Sequence, residues 1–165
     1  MTARTYIRPL EPGDLERLVQ IENAADALFL EQFGPQPWPP VDAKSDVGGF
    51  ILVAIAANHD IIGFAQVLGV ADVAHLEQLS IAPEHGRQGH GRALLRAAIG
   101  EARRRGYERM TLRTFADIPW NGPFYSSAGF VESSPMTEFH EMLVQVEREL
   151  GLHEHGRRIQ MSLRL

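Results

Sequence analysis

The feature that most constrains this chain is an unbroken succession of strand, glycine-rich loop, helix and strand between His75 and Phe115. His75-Leu76-Glu77-Gln78-Leu79-Ser80-Ile81 reads as the first strand, ended by Ala82-Pro83. Glycines stand at 86, 89 and 91, and the stretch from Arg92 to Arg105 has Leu94, Leu95, Ala98, Ile99 and Ala102 on one helical face. Gly106 closes that helix at a C-cap position, and Arg109 to Phe115 is the second strand. Because a helix is the crossover, the two strands are parallel neighbours.

The rest of the chain supplies elements to flank this unit. Thr5 to Arg8 alternates as a short strand, and Asp14 to Glu22 follows as an amphipathic helix whose buried edge is Leu15, Leu18, Val19 and Ile21 or Glu22. Four prolines between Phe33 and Pro40 make a loop, in which Phe33 and Trp38 must pack on the domain or cover something. Phe50 to Ala56 is a continuous apolar strand, turned by Asn58-His59-Asp60 into a second from Ile61 to Gly69, as an antiparallel hairpin. Asn121 caps a short helix with Pro123 in its first turn, and Ala128-Gly129-Phe130 closes it and launches another strand. A helix from Thr137 to Leu150 carries Phe139, Met142, Leu143, Val146 and Leu150 on one face, and Ile159 to Leu165 alternates as a terminal strand. With 165 residues and no repeat or linker, the chain reads as one domain, residues 1–165.

Composition removes whole classes of chemistry. The absence of cysteine excludes disulfides, thiolate metal sites and a catalytic thiol. A formal net charge of -5 without a basic tract argues against nucleic acid, and Arg103-Arg104-Arg105 complements the negative end of its helix. No apolar run approaches the roughly 20 residues of a membrane span, and the N-terminus lacks a signal-like run, so no membrane partner and a cytoplasmic location are expected. His85 and His90 lie five residues apart across the glycine loop with no carboxylate joining them, and read as a solvent-facing pair rather than metal ligands. His153 and His155 are read the same way, so no metal is expected.

Glycines between a strand and a helix set consecutive backbone N–H groups at a helix N-terminus, where unpaired donors and the helix dipole favour an anion. No Gly-Lys-Ser/Thr follows, and the spacing and acidic partner of a dinucleotide fingerprint are missing. On glycine spacing alone, a plain tight turn fits equally well. The neighbouring residues go further: Ser80-Ile81-Ala82-Pro83-Glu84-His85-Gly86-Arg87-Gln88-Gly89-His90-Gly91-Arg92-Ala93-Leu94-Leu95 closely resembles the acetyl-CoA motif of the GNAT superfamily of N-acetyltransferases. That motif is Gln/Arg-x-x-Gly-x-Gly/Ala between a strand ending in Pro and a long helix. Phe124-Tyr125-Ser126-Ser127-Ala128-Gly129-Phe130 resembles the family's Phe/Leu-Tyr-x-x-x-Gly-Phe, and the opening strand, helix and hairpin fall in family order. Two positions depart: Gly86 replaces the usual Gln or Arg, and Asn121 lies nearer Tyr125 than the family's usual cofactor-contacting asparagine.

The resemblance implies an α/β fold with a single mixed, centrally splayed β-sheet flanked by helices. It implies acetyl-CoA as cosubstrate, with pantetheine entering the splay as a pseudo-strand against Leu79, Ser80 and Ile81. Arg87, Gln88, Gly89, His90, Gly91 and Arg92 would hold the pyrophosphate, and Asn121 is a further candidate contact. At pH 7, freeing a lysine-like amine of its proton costs roughly 4 to 5 kcal/mol, so a base or water chain must take it. Glu77 is the candidate through water, on His75's face if the strand is regular; a bulge would turn it away, and pairing with an arginine is the alternative. His75 reads as a bystander at a strand start. Tyr125 stands at the family's position for the acid that helps the thiolate leave. With no cysteine to carry an acyl group, the amine attacks directly in a ternary complex. A small-molecule amine is the expected acceptor, with a peptide or protein amine, or an idle acyl-CoA-binding module, as alternatives. The segment from Thr137 to Gly156 is longer than in minimal relatives and is placed to cover the acceptor, with Trp38 as a cap. Oligomeric state stays open, a homodimer included.

Overall fold

The computed structural model describes residues 5–33 and 48–165, with side chains for 5–25 and 48–165. The Pro-rich loop beyond Phe33, and with it the expected cap Trp38, lies outside the described residues.

Seven strands form one mixed sheet in the order β1-β2-β3-β4-β5-β7-β6. β1 (Tyr6–Pro9), β2 (Gly49–Ile55), β3 (Ile61–Val70) and β4 (Val73–Ile81) are successive antiparallel neighbours. Helix α2 (His90–Arg104) then crosses over, and β5 (Arg109–Phe115) runs parallel to β4. β7 (Arg158–Arg164) lies antiparallel between β5 and the short β6 (Val131–Ser133). This is the expected α/β class.

Alternation along the strands feeds two cores. Phe50, Leu52 and Ala54 of β2 join the cluster under α2, where Leu94, Leu95, Ala98 and Ala102 are fully buried. Each buried leucine stabilises the fold by roughly 1.5 to 3 kcal/mol. Val53 and Ile55 face the other way, onto Leu18 and Ile21 of α1 (Leu15–Phe33). Helix α1 runs eleven positions past the Glu22 at which the sequence pattern ended. Its buried edge is Leu18, Ile21 and Glu22, whereas Leu15 and Val19 are 39% and 47% exposed. Both keep the three- and four-residue spacing to Leu18 and Glu22 but flank the stripe on its outer side, so spacing alone misplaced the face.

A similar rotation affects α4 (Glu138–Glu149), which follows α3 (Gly122–Ser127) and β6. Met142 and Val146 are exposed, and the buried positions are His140 and Glu147. A helix that buries polar groups must be answered by polar partners, and those prove to come from β5 and β7.

The sheet is splayed at its centre, as expected. Pairing of β4 with β5 begins at Val73 with Arg109 and stops at Leu76 with Leu112, although β4 continues to Ile81 and β5 to Phe115. The strand is not regular there: Gln66 of β3 pairs with Gln78 and Val67 with Leu76, which leaves Glu77 as the extra residue of a bulge. Bulges bend a strand and shift its alternation. Accordingly Ala74 and Leu76 before it, and Leu79 and Ile81 after it, all pack toward α2.

Candidate active site

The splay opens a cleft of about 370 Å³ floored by His75, Glu77 and Leu79 of β4 and walled by Arg113 and Phe115 of β5. Glu22 of α1 and Asn121, at the start of α3, contribute from opposite sides. The bulge was expected to turn Glu77 away from His75. Instead the two share the cleft, with His75 Nε2 3.7 Å from Glu77 Oε2, because the extra residue leaves Glu77 on the face opposite α2. The Glu77 side chain keeps 43% of its exposure, yet burial of its surroundings, with the charge of Glu147 adding, raises its pKa above the ordinary carboxylate value. A carboxylate so raised takes up a proton more readily than a fully solvated one.

One wall comes from α4 and the turn after it, through Leu143, Val146, Glu147, Leu150 and Leu152. The long segment between the last two strands therefore does border the cleft. Glu147 accepts 2.8 and 3.0 Å bonds from Nε and Nη2 of Arg158 and a 2.7 Å bond from Nε of Arg113. Burial pushes its carboxyl upward, but the two guanidiniums outweigh that and hold it below the usual range. Arg158 in turn lies 4.6 Å over the Phe115 ring. None of Arg113, Glu147 and Arg158 was picked out from sequence, where 34 and 11 residues separate Glu147 from its partners. The one available signal was a charged residue interrupting the apolar spacing of α4.

His75, read as a bystander at a strand start, is buried and hydrogen-bonded. It is 2% exposed, and its Nδ1 lies 2.8 Å from the Thr111 hydroxyl, directly across the β4–β5 pair. Burial, with His140 and Arg113 adding, lowers its pKa to about 3, so the ring is neutral at physiological pH.

The glycine loop sits beyond the far end of β4. Gly86 is extended, Arg87 and Gly89 take left-handed φ values of 59° and 85°, and α2 starts at His90 without a side-chain cap. This alternation turns successive N–H groups toward one side and leaves the first turn of α2 open to an anion, which fits a pyrophosphate. Only Gly89 needs glycine's backbone freedom; Gly91 has no positive φ, and a Cβ there would meet Ile81 at an ordinary 3.7 Å. Arg87 and Gln88 are exposed, while His90 is 3% exposed and bonded to Thr5 Oγ1 at 2.7 Å. His85 and His90 are thus no solvent-facing pair: β1's approach covers His90. Ser80 is also buried, and its hydroxyl accepts a 3.3 Å bond from Gln78.

Arg92 donates a 2.7 Å bond to Ser127 and lies 5.3 Å over Phe124, which ties the loop's helix to α3. Tyr125 on α3 packs between the rings of Phe124 and Phe130, and burial drives its phenol well above the ordinary tyrosine value. A phenol so placed keeps its proton at neutral pH. Tyr125 does not line the cleft that holds Glu77; Asn121, one turn earlier, does. The Asn121 side chain was expected to cap α3, but its Oδ1 accepts a 2.6 Å bond from Thr114 and only its backbone sits at the cap.

A mixed sheet opened at a bulge, with a glycine loop beyond one strand and a carboxylate in the opening, defines an acyl-CoA-type transferase. The Acetyltransferase (GNAT) family matches residues 17–130, and the chain belongs to that family as an N-acetyltransferase. Over 129 residues it is 31% identical to the [Ribosomal protein bS18]-alanine N-acetyltransferase of Escherichia coli (strain K12), covering 78% of this chain and 82% of the relative. The enzyme of the same name from Haemophilus influenzae (strain ATCC 51907 / DSM 11121 / KW20 / Rd) is 30% identical over 109 residues, 66% of this chain and 69% of that one. Among solved structures, the PaiA N-acetyltransferase of Thermoplasma acidophilum in complex with coenzyme A aligns with a TM-score of 0.71 at 18% identity, covering 98% of this chain and 99% of that one. The Escherichia coli ribosomal-protein-S18-alanine N-acetyltransferase aligns at 0.65 and 24%, covering 98% and 94%. At those identities the structures speak for the fold.

Proposed function

We propose that the chain transfers an acetyl group from acetyl-CoA to a primary amine by direct attack, with the α-amine of a protein or peptide N-terminus as acceptor. The observation that carries the reading is the cleft at the splay, where Glu77, with its raised pKa, shares a wall with the free edge of β4 at Leu79. Pantetheine lying along Leu79, Ser80 and Ile81 would present its thioester there, with its pyrophosphate at Arg87 to Arg92. Bound acetyl-CoA supplies the activated acyl carbon; the chain's own residues manage protons and position. Glu77 takes the ammonium proton through water. Tyr125, at the family's position for the acid and protonated at neutral pH, donates to the departing sulfur from beside the cleft. The protein acceptor is supported by the curated relatives, which are named for acetylating a ribosomal-protein alanine.

The second reading, a small-molecule amine, is favoured by the α4 wall, since Leu143, Val146 and Leu150 narrow the cleft to a volume typical of small-ligand sites. Release of free CoA thiol decides between them: short peptides with a free α-amine and no lysine, against a panel of small primary amines. Turnover of peptides alone supports the first reading, and turnover of small amines alone replaces it. Glu77→Gln should lower turnover by about 10²-fold with any acceptor; binding of acetyl-CoA without turnover of any amine would leave a non-catalytic module.

A further inference from the structure

Behind Glu77 a line of polar side chains crosses from the cleft to the surface. Thr111 Oγ1 stands between two imidazoles, 2.8 Å from His75 Nδ1 and 3.0 Å from His140 Nε2. His140 Nδ1 is 2.6 Å from Thr137 Oγ1, which also accepts the His140 backbone N–H as the cap of α4. His75, Thr111 and His140 are 2%, 1% and 3% exposed, whereas Thr137 is at the surface. Phe139 closes the side of the His75 ring, edge to face at 5.3 Å. Apolar residues at these positions would fill the same space, so the polar line calls for a use.

A hydroxyl carries one hydrogen, so Thr111 can donate to only one of its two imidazoles. Three orientations satisfy every link, one of them with both imidazoles donating to Thr111, which leaves His75 Nε2 bare as the second below does. In the first, Thr137 donates to His140, His140 Nε2–H to Thr111, and Thr111 to His75 Nδ1; His75 then carries its proton on Nε2, facing Glu77. In the second, all donors reverse and a bare Nε2 lone pair faces the Glu77 carboxylate. At 3.7 Å this is a charge–dipole contact rather than a hydrogen bond, but in a buried setting its sign matters. An ionised Glu77 therefore selects the first orientation.

We propose that Thr111 and His140 are positioning residues for acetyl transfer: with Thr137 they fix His75 as its Nε2–H tautomer, which orients the Glu77 carboxylate as a base. This rests on the reading of Glu77 given above. The other charges around the pair are Glu147 on α4, Arg113 and Arg109 on β5, Arg158 on β7 and Glu22 on α1. They are unchanged by altering Thr111.

Two measurements test it. Nitrogen NMR of ring-labelled histidine in the intact protein should report His75 as the Nε2–H tautomer at pH 7; the Nδ1–H tautomer overturns the proposal. Thr111→Val keeps the shape and removes the hydroxyl: kcat should fall about tenfold, and the acid limb of kcat/KM should move to higher pH as Glu77 loses its dipole. Thr111→Ser should restore both, and acetyl-CoA affinity should not change in either variant. A Thr111→Val protein with lowered melting temperature but an unmoved acid limb and kcat makes the line merely structural and overturns the proposal. Full turnover in Glu77→Gln removes the base itself and fails the parent reading, whereas an inactive Glu77→Gln with His75 as Nδ1–H fails the positioning alone.

Discussion

The glycine loop and the α4 wall make opposite kinds of site. The loop is exposed backbone, shaped by two left-handed residues and the open start of α2, and its charged side chains at Arg87 and Arg92 lie at the surface or on α3. The wall is side chains from α1, β4, β5, α4 and β7, with Glu147 locked between two guanidiniums. A group shared by all substrates of a fold, such as a pyrophosphate, is held by main chain, whose N–H groups survive any sequence change. What varies from protein to protein is held by residues that can be exchanged.

The sharpest way to break this contrast is Glu147→Ala. It strands Arg113 and Arg158, at 9% and 14% side-chain exposure, without their shared partner. Unfolding in urea should show a loss of about 3 to 5 kcal/mol; a loss under about 1 kcal/mol would mean that the wall is not held by its charges. Next comes Tyr125→Phe, which should reduce kcat by about 10²-fold while acetyl-CoA affinity stays within a few-fold. Because the loss is in kcat, single-turnover measurement of CoA release is the check, and near-full turnover would remove Tyr125 from the chemistry.

A pH experiment sharpens the contrast further. His75 binds a proton near 6.5 in the unfolded chain but only near 3 in the fold, so stability is full above 6.5 and is lost as pH falls through that window. Between pH 6.5 and 5 the loss from this one ring is about 2 kcal/mol. Urea midpoints at the two pH values should show it, and His75→Gln should reduce the difference, leaving the part due to His90 and His140, which burial also holds below the ordinary histidine value. The smallest effect is on the loop: Gly89→Val should weaken acetyl-CoA about tenfold because its φ is left-handed, whereas Gly91→Val should do less. Equal losses by calorimetry at both positions would show that bulk near the cofactor, not backbone conformation, is what glycine avoids.

The same contrast explains what could be read in the chain beforehand. Glycines at 86, 89 and 91 between a strand and a helix are local in sequence, and so were the crossover and the parallel pair; the splay was implied by the family resemblance. Glu77 and Asn121 were found as residues but not as geometry: the bulge at Glu77 is a mismatch between β3 and β4, and the Asn121 side chain answers to Thr114 rather than to its own helix. His75 and His140 were illegible because their partner, Thr111, sits on another strand. Leu15, Val19 and Met142 misled for the opposite reason. Apolar residues are not excluded from surfaces, so a helix face is fixed only when its packing partner is known.

The hydrogen-bond ladder that ends at Leu76 and Leu112 leaves the sheet in two partly separate leaves. With the cofactor lying in that gap, as proposed, the missing rung is supplied from outside the chain, and cohesion becomes a function of supply. Each tenfold rise in free thioester above its dissociation constant adds about 1.4 kcal/mol to the folded state.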